Sequence, residues 1–145
     1  MSKQYNNQTN KLNAELVAEV SRVTDFLRQQ KGINLAILFG SLSTGNVHRE
    51  SDMDIAIGKK QPLSAEEKVE LISQLALLTG RAIDLIDLST VGEPILGQIL
   101  KYGKRLTGTD TAFAELALKN LYAQEDFVPY IERVLKERRQ QWLAN

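Results

Sequence analysis

One short segment alternates between apolar side chains and carboxylates, and it constrains the fold more than any other feature of the chain. From Asp52 the sequence reads Asp-Met-Asp-Ile-Ala-Ile-Gly. Successive side chains of a β-strand point to opposite faces, so the methionine and the isoleucines share one face while Asp52 and Asp54 share the other. Such a strand must bury its apolar face. The segment therefore predicts a sheet that helices cover on one face, with a charged site on the open face.

Helical periodicity and short apolar runs alternate along the rest of the chain. In the helical segments apolar residues recur at spacings of three and four, and glycines bracket the short runs. Ser64 is expected to cap the helix that follows it, with Glu67 as its capping-box partner. This order indicates an α/β (α+β) fold with a small mixed sheet and C-terminal helices. The predicted elements are a helix over 11–30, strands over 33–39, 52–58 and 82–88, a helix over 64–80, short helices at 41–44 and 94–102, an edge strand over 104–106, and two helices in 110–143 that break near Asp126 and Pro129.

Balanced charge and the absence of cysteine exclude several classes of protein. The chain carries 18 Lys and Arg against 18 Asp and Glu, so no general attraction to nucleic acid is expected. Without cysteine it can form neither disulfides nor thiolate metal sites. No apolar run approaches the roughly 18 residues that span a bilayer, and the polar first ten residues lack the apolar core of a signal peptide. We therefore expect a cytoplasmic protein that binds neither membrane nor nucleic acid directly.

The residues that carry chemistry are Gly40 and Ser41, followed after ten positions by Asp52 and Asp54. Two carboxylates that project together repel, and a cation between them removes that repulsion. Mg²⁺ suits such a pair, because it takes a few carboxylates and completes its octahedron with water and substrate phosphates. Gly40 lets the backbone approach a phosphate closely, and Ser41 can offer its N–H and hydroxyl to phosphate oxygens. The structural alternative is that Asp52 and Asp54 simply begin a strand after a turn.

Two further aspartates, Asp84 and Asp87, lie on the strand predicted at 82–88. Their positions differ by an odd number, so their side chains face opposite sides of the sheet. Asp84 lies mid-strand between apolar neighbours, where an unpaired carboxylate is costly, and a metal ion or an attacking hydroxyl would explain it. Asp87 lies near the strand end, where solvent or a turn can satisfy it. The alternative for Asp84 is an ion pair with Arg81 or with a lysine.

The Gly-Ser-x10-Asp-x-Asp pattern resembles the signature of the DNA polymerase β-type nucleotidyltransferase superfamily. Within it, the chain is most similar to the minimal nucleotidyltransferase (MNT) antitoxins of HEPN/MNT toxin–antitoxin pairs. The similarity covers roughly residues 15 to 108. It implies a nucleotidyltransferase domain over 11–108, which leaves a flexible N-terminal tail over 1–10 and a C-terminal helical extension over 109–145.

The resemblance also implies a site and a reaction. Asp52, Asp54 and Asp84 would be catalytic and would hold the metal, two Mg²⁺ ions, while Gly40 and Ser41 would bind the nucleotide. Asp84 has the apolar-apolar-Asp-apolar-apolar setting of the superfamily's third carboxylate, and would be the general base. The substrate would be ATP, and the reaction would transfer AMP to a tyrosine of a partner HEPN ribonuclease toxin. That modification would neutralise the toxin.

Two other functions fit the sequence. One is a non-catalytic antitoxin that binds and occludes its toxin. An inactive site, however, would not need unpaired aspartates on an apolar strand. The other is a small-molecule nucleotidyltransferase of the antibiotic-modifying type, although the segment after the last strand is short for an acceptor pocket. The sole histidine, His48, is expected to be a solvated loop residue. An apolar stripe either packs on the domain or docks the toxin, and comprises Phe127, Ile131, Val134 and Trp142.

Overall fold

The computed structural model describes the backbone of residues 2–43 and 51–144. Its elements follow the predicted order, and none of its helices is both long and apolar enough to cross a lipid bilayer. The elements are α1 (Ser2–Gln29), β1 (Leu35–Phe39), β2 (Met53–Gly58), α2 (Ala65–Thr79), β3 (Ile83–Asp87), α3 (Ile95–Tyr102), β4 (Lys104–Gly108) and α4 (Asp110–Ala144).

The strands form one sheet in the order β3-β2-β1-β4. β1 runs antiparallel to β2 and to β4, whereas β2 and β3 are parallel and are joined through α2. A parallel pair needs a crossover of this kind, and a helix is the usual one. The predicted mixed sheet is confirmed, with β4 on an edge as expected.

The two faces of the sheet are covered unequally. On one face Met53, Ile55 and Ile57 are fully buried in a cluster that also contains Val23 of α1 and Leu75 of α2. Part of the other face packs against α3 and the start of α4, in a second cluster of buried residues comprising Leu35, Ile37, Ala56, Leu88, Leu96, Ile99 and Leu116. The second face is thus more covered than a sheet with one open face, because α3 carries an apolar side that must also be buried. The carboxylates lie on the part of this face that stays accessible.

The end signals predicted for α2 are confirmed. The Ser64 hydroxyl accepts a hydrogen bond from the Glu67 N–H at 3.1 Å, which satisfies one of the free donors at the helix start. Gly80 follows the helix with a φ of 67°, a left-handed conformation that glycine adopts without strain.

The first and last helices differ from expectation. α1 begins at Ser2, so residues 2–10 are helical rather than a flexible tail. Once a helix is nucleated, each added residue gains a hydrogen bond at little further cost, and a polar composition does not stop it. The last segment is one helix, Asp110–Ala144, rather than two. An interior proline such as Pro129 loses one hydrogen bond and crowds the preceding turn, but a long helix can bend at a proline and continue past it.

Candidate active site

The turn after β1 places Gly40 against a carboxylate. Phe39, the last residue of β1, pairs with Asp54 in the antiparallel register, so Gly40 lies beside Asp54. Gly40 has a φ of 75°, and a β-carbon at this position would overlap the Oδ2 atom of Asp54. Both the conformation and the space therefore require glycine here. Ser41 follows it and is exposed at the turn.

Residues 41–43 form a turn rather than the start of the short helix expected at 41–44. The Ser43 hydroxyl and the Ser43 N–H both donate to the Gly40 carbonyl oxygen, at 2.8 Å and 3.2 Å. A serine that binds nearby backbone in this way competes with helix formation. Thr44 and the predicted loop residue His48 lie outside the described residues.

Asp54 of β2 and Asp84 of β3 are direct neighbours in the parallel register. Partial burial raises the pKa of Asp54 most, and the charge of Asp84, a hydrogen bond between the two carboxyl groups and the charge of Asp52 raise it further. The structure therefore brings together two carboxyl groups whose charges repel, and a cation between them would remove that repulsion.

Asp52 lies directly before β2 and is exposed. Its charge reaches Asp54, yet within residues 2–43 and 51–144 no three acidic or histidine side chains converge into a ready-made metal cluster. Of the predicted ligands, Asp54 and Asp84 are thus in contact, whereas Asp52 is not gathered with them into a metal cluster. The donors are all oxygen and are destabilised by their own charge, and this chemistry fits a hard divalent cation such as Mg²⁺.

Asp87, on the same strand as Asp84, has a different environment. It is 4% exposed and faces the α2 side of the sheet. Its Oδ2 accepts from the Leu63 N–H at 2.7 Å, and its Oδ1 accepts from the Ser89 N–H at 2.9 Å and the Ser89 hydroxyl at 2.7 Å. Burial alone would raise the pKa of Asp87, but these hydrogen bonds outweigh it and lower the pKa. Asp87 therefore anchors the turn after β3 and the segment that precedes α2.

A cavity of about 310 Å³ opens beside the Gly40 turn, between the end of β1 and α3. It does not include the carboxylates, so it adjoins the side of the site farther from β3. A largely apolar cavity next to a turn whose glycine and serine can bind phosphate suits a flat ring that is attached to phosphate. Its lining consists of Phe39, Gly40, Ser43, Ile95, Gln98, Ile99 and Tyr102.

Residues 21–112 match the model of the polymerase beta nucleotidyltransferase family. The chain belongs to this family. The match contains the Gly40 turn, both strands that carry the carboxylates, and α3. The sequence resemblance to the polymerase β-type superfamily is thereby confirmed.

This nucleotidyltransferase is similar to proteins of toxin–antitoxin pairs. The protein adenylyltransferase MntA of Shewanella oneidensis is 35% identical over 89 residues, which are 61% of this chain and 64% of that protein. The matched region is thus less than two thirds of the relative's length. A chain in the crystal structure of a toxin–antitoxin with AMP-PNP is 26% identical, with a TM-score of 0.67 over 83% of this chain and 95% of that one.

A third likeness concerns the fold alone. A chain in the structure of the tri-AMPylated Shewanella oneidensis HEPN toxin in complex with MNT antitoxin is 24% identical. It has a TM-score of 0.67 over 84% of this chain and 97% of that one. The nucleotidyltransferase fold therefore extends over most of the chain.

Arg81 is a residue of this nucleotidyltransferase whose role the sequence does not reveal. The expected alternative, an ion pair between Arg81 and Asp84, is not found, and Asp84 takes part in no ion pair among the described residues. Arg81 instead pairs with Glu19 of α1, with its Nε atom 2.7 Å from Oε2. Glu19 lies 62 positions earlier in the chain, so no local pattern could have joined the two.

Proposed function

We propose that the chain is an Mg²⁺-dependent protein adenylyltransferase that acts as an antitoxin. It transfers AMP from ATP to a tyrosine of a partner HEPN ribonuclease toxin and thereby neutralises the toxin. The observation that carries this proposal is the contact between Asp54 and Asp84 beside the glycine turn of a nucleotidyltransferase fold. The 35% identity to a protein adenylyltransferase supports the reaction, and the likeness to a chain solved with AMP-PNP supports an adenine nucleotide.

Each site residue has a role in this reaction. Asp52, Asp54 and Asp84 would hold the metal ions, and two Mg²⁺ ions bound there would stabilise the charge that develops during the displacement. Gly40 and Ser41 hold the β- and γ-phosphates through backbone N–H groups and the serine hydroxyl. The base and ribose extend into the cavity between this turn and α3.

Asp84 starts the transfer. It accepts the proton of the acceptor tyrosine hydroxyl, and the phenolate oxygen then forms a bond to the α-phosphorus. The bond from that phosphorus to the bridging oxygen breaks, and pyrophosphate leaves. Asp84 is exposed on the outer strand of the sheet, so a tyrosine from another protein can reach it. The cavity lies at the end of β1, which β2 separates from β3 in the sheet. The nucleotide and the acceptor therefore approach from different sides.

Labelling with ATP radiolabelled at the α-phosphorus tests this function. The chain is incubated with Mg²⁺ and labelled ATP, alone and with the toxin encoded beside it, and the proteins are separated by size. Label on the toxin is expected, with loss of the label when the acceptor tyrosine is changed to phenylalanine. A toxin that is silenced without label would support the non-catalytic antitoxin. Label on an added aminoglycoside or other hydroxylated drug would support the small-molecule enzyme.

The C-terminal helix is proposed to help hold the toxin. Trp142 of α4 is 80% exposed and Leu135 is 56% exposed, so this end of the helix presents apolar side chains to its surroundings. Val134 is half-buried, and the side chains of Phe127 and Ile131 lie outside the described residues. An apolar helix face of this kind is a common docking surface.

Truncation before Phe127 tests the docking role. If the helix holds the toxin, the shortened protein stays folded and binds ATP but no longer labels the toxin. If the helix instead packs on the domain, both stability and ATP binding fall. Undiminished labelling by a stable truncated protein would contradict both expectations.

A further inference from the structure

Arg81 and Asp87 are the two charged side chains that are buried in the described part of the chain. The hydrogen bonds of Asp87 explain its burial, but Arg81 lies just before β3 and contacts both α1 and the segment before β2. Its side chain is 5% exposed, and that of its partner Glu19 is 15% exposed. Burying such a pair is costly, and an apolar pair of similar volume often stabilises a fold equally well. Stability alone is therefore a weak reason for this ion pair.

The second contact of Arg81 leads to the catalytic strand. Its Nη1 atom donates to the Ser51 carbonyl oxygen at 3.1 Å. The neighbouring residue Ala82 accepts a hydrogen bond from the Met53 N–H at 2.9 Å. Residues 81 and 82 thus hold the backbone immediately before and immediately after Asp52.

Asp52 needs such support because no strand fixes it. It precedes β2 and its side chain is exposed. The hydrogen bond of Met53 holds the backbone after Asp52, and the Arg81 contact holds the backbone before it. A metal ligand must be held close to its productive geometry, and partners outside the ligand shell usually do this.

We propose that Arg81 is a positioning residue that fixes Asp52 for metal binding, with Glu19 of α1 holding the guanidinium in place. This inference rests on the proposed function, because it requires Asp52 to be a metal ligand. Arginine suits the task because its planar group presents Nε and Nη1 in a fixed fork. One nitrogen meets the Glu19 carboxylate while the other meets the Ser51 carbonyl. A lysine has a single nitrogen and cannot occupy both positions.

Three variants separate positioning from folding. The double variant Glu19→Met/Arg81→Met removes the buried pair together, so no unpaired charge is left behind, and it removes the donor to Ser51. The variant Arg81→Lys keeps a charge opposite Glu19 but loses the fork. The matched control Glu19→Gln removes the charge but keeps an oxygen that accepts from Arg81 Nε, so the guanidinium and its contact with Ser51 stay in place. Circular dichroism and urea unfolding establish that each variant is folded.

The probe is the Mn²⁺ complex of AMP-PNP, whose dissociation constant is measured by calorimetry without any turnover. Both Arg81 variants are expected to bind it about tenfold more weakly or worse, the usual scale for losing a partner of a metal ligand. The Glu19→Gln control should bind it almost as tightly as the unaltered chain. If the double variant does not fold, the Arg81→Lys variant decides the question. A folded variant lacking Arg81 that binds the probe with unaltered affinity would overturn the inference.

Asp52→Asn separates failure of this inference from failure of the proposed function. If the unaltered chain does not bind the probe, or if Asp52→Asn binds it equally well, the proposed metal site is wrong. If Asp52→Asn weakens binding and the Arg81 variants do not, only the positioning role is wrong. Loss of affinity in the Glu19→Gln control as large as in the Arg81 variants would show that charge burial, and not the contact with Ser51, is responsible.

Discussion

Asp84 and Asp87 lie three positions apart on one strand and have opposite surroundings. Asp87 is buried, and three donors on Leu63 and Ser89 satisfy it, so its pKa is lowered despite the burial. Asp84 is exposed and faces another carboxyl group, Asp54, whose pKa is raised by its own partial burial and by the charge of Asp84. Protein hydrogen-bond donors satisfy Asp87, whereas Asp84 faces a second carboxyl group whose charge repels its own.

We interpret this difference as that between a structural carboxylate and a functional one. A repulsive pair could be removed by a change to asparagine, which has nearly the same shape as aspartate. A repulsive pair at the edge of an accessible face is therefore best explained by what it binds. If the crowded carboxylates act in catalysis and Asp87 acts in folding, substitutions at the two places should affect different properties of the protein.

The largest effect is expected from removing both carboxylates of the Asp-x-Asp pair. The double change Asp52→Asn/Asp54→Asn should abolish AMP transfer, because the metal ligands are lost. The raised pKa of Asp54 means that its charge destabilises the folded state at neutral pH, so the variant should unfold at the same urea concentration as the unaltered chain or at a higher one. Label transfer and urea unfolding measure the two effects. Full activity in this variant would show that the pair is structural.

Asp84→Asn gives the next largest effect. If Asp84 is the general base, turnover should fall by roughly 10²-fold or more. Asp87→Asn, on the same strand, is the matched control and should leave turnover close to that of the unaltered chain. Single-turnover labelling of the toxin measures both. If Asp87→Asn lowered turnover and Asp84→Asn did not, Asp87 rather than Asp84 would be the catalytic residue of β3.

Asp87→Asn should instead lower stability. Losing hydrogen bonds to a buried carboxylate is expected to lower the free energy of unfolding by about 2 kcal/mol at neutral pH. Because the folded-state pKa of Asp87 is lowered, the stabilisation is present above the pKa of the unfolded chain and is lost as pH falls through the folded-state pKa. The difference from the unaltered chain should therefore shrink in acid, below the ordinary aspartate pKa of about 4. An equal difference at neutral and acidic pH would contradict this explanation.

The smallest of these effects is expected at the glycine turn. Gly40→Ala would place a β-carbon against Asp54 and would strain a φ of 75°. The left-handed conformation costs roughly 1–2 kcal/mol of stability for a residue with a β-carbon. Displacement of the Asp54 carboxylate should in addition lower transfer by about tenfold, the usual scale for disturbing a metal site. Gly80→Ala is the matched control, since Gly80 is also left-handed but has open space around its added carbon. If both variants lose activity equally, the contact with Asp54 is irrelevant.

Local patterns in the sequence were enough to predict most of the fold. Strand alternation, glycine stops and the Ser64 cap each depend on neighbouring residues, and the strands and α2 were found close to their predicted positions. The extent of α1 and α4 was not predictable in the same way. Composition favoured a tail at residues 2–10, and a proline favoured a break near residue 129, yet helix propagation prevailed in both places.

Some features of the site likewise follow from local patterns, and others do not. The alternation of side chains predicted that Asp84 and Asp87 face opposite sides of the sheet, and the motif spacing identified the Gly40 turn and the Asp-x-Asp pair as candidate site residues. The contact between Asp54 and Asp84 depends on the strand register, which no single sequence shows directly. The link from Glu19 through Arg81 to Ser51 depends on tertiary packing and has no local signal.

We expect the crowded carboxylates to catalyse nucleotidyl transfer, and the position of the label in ATP tests this. ATP labelled at the α-phosphorus is compared with ATP labelled at the γ-phosphorus, in the presence of Mg²⁺ and the partner toxin. Label should appear on the toxin from the α position alone, and none should appear when the chain carries Asp52→Asn/Asp54→Asn. Label from the γ position, or α label that persists with the doubly substituted chain, would rule out catalysis by these carboxylates.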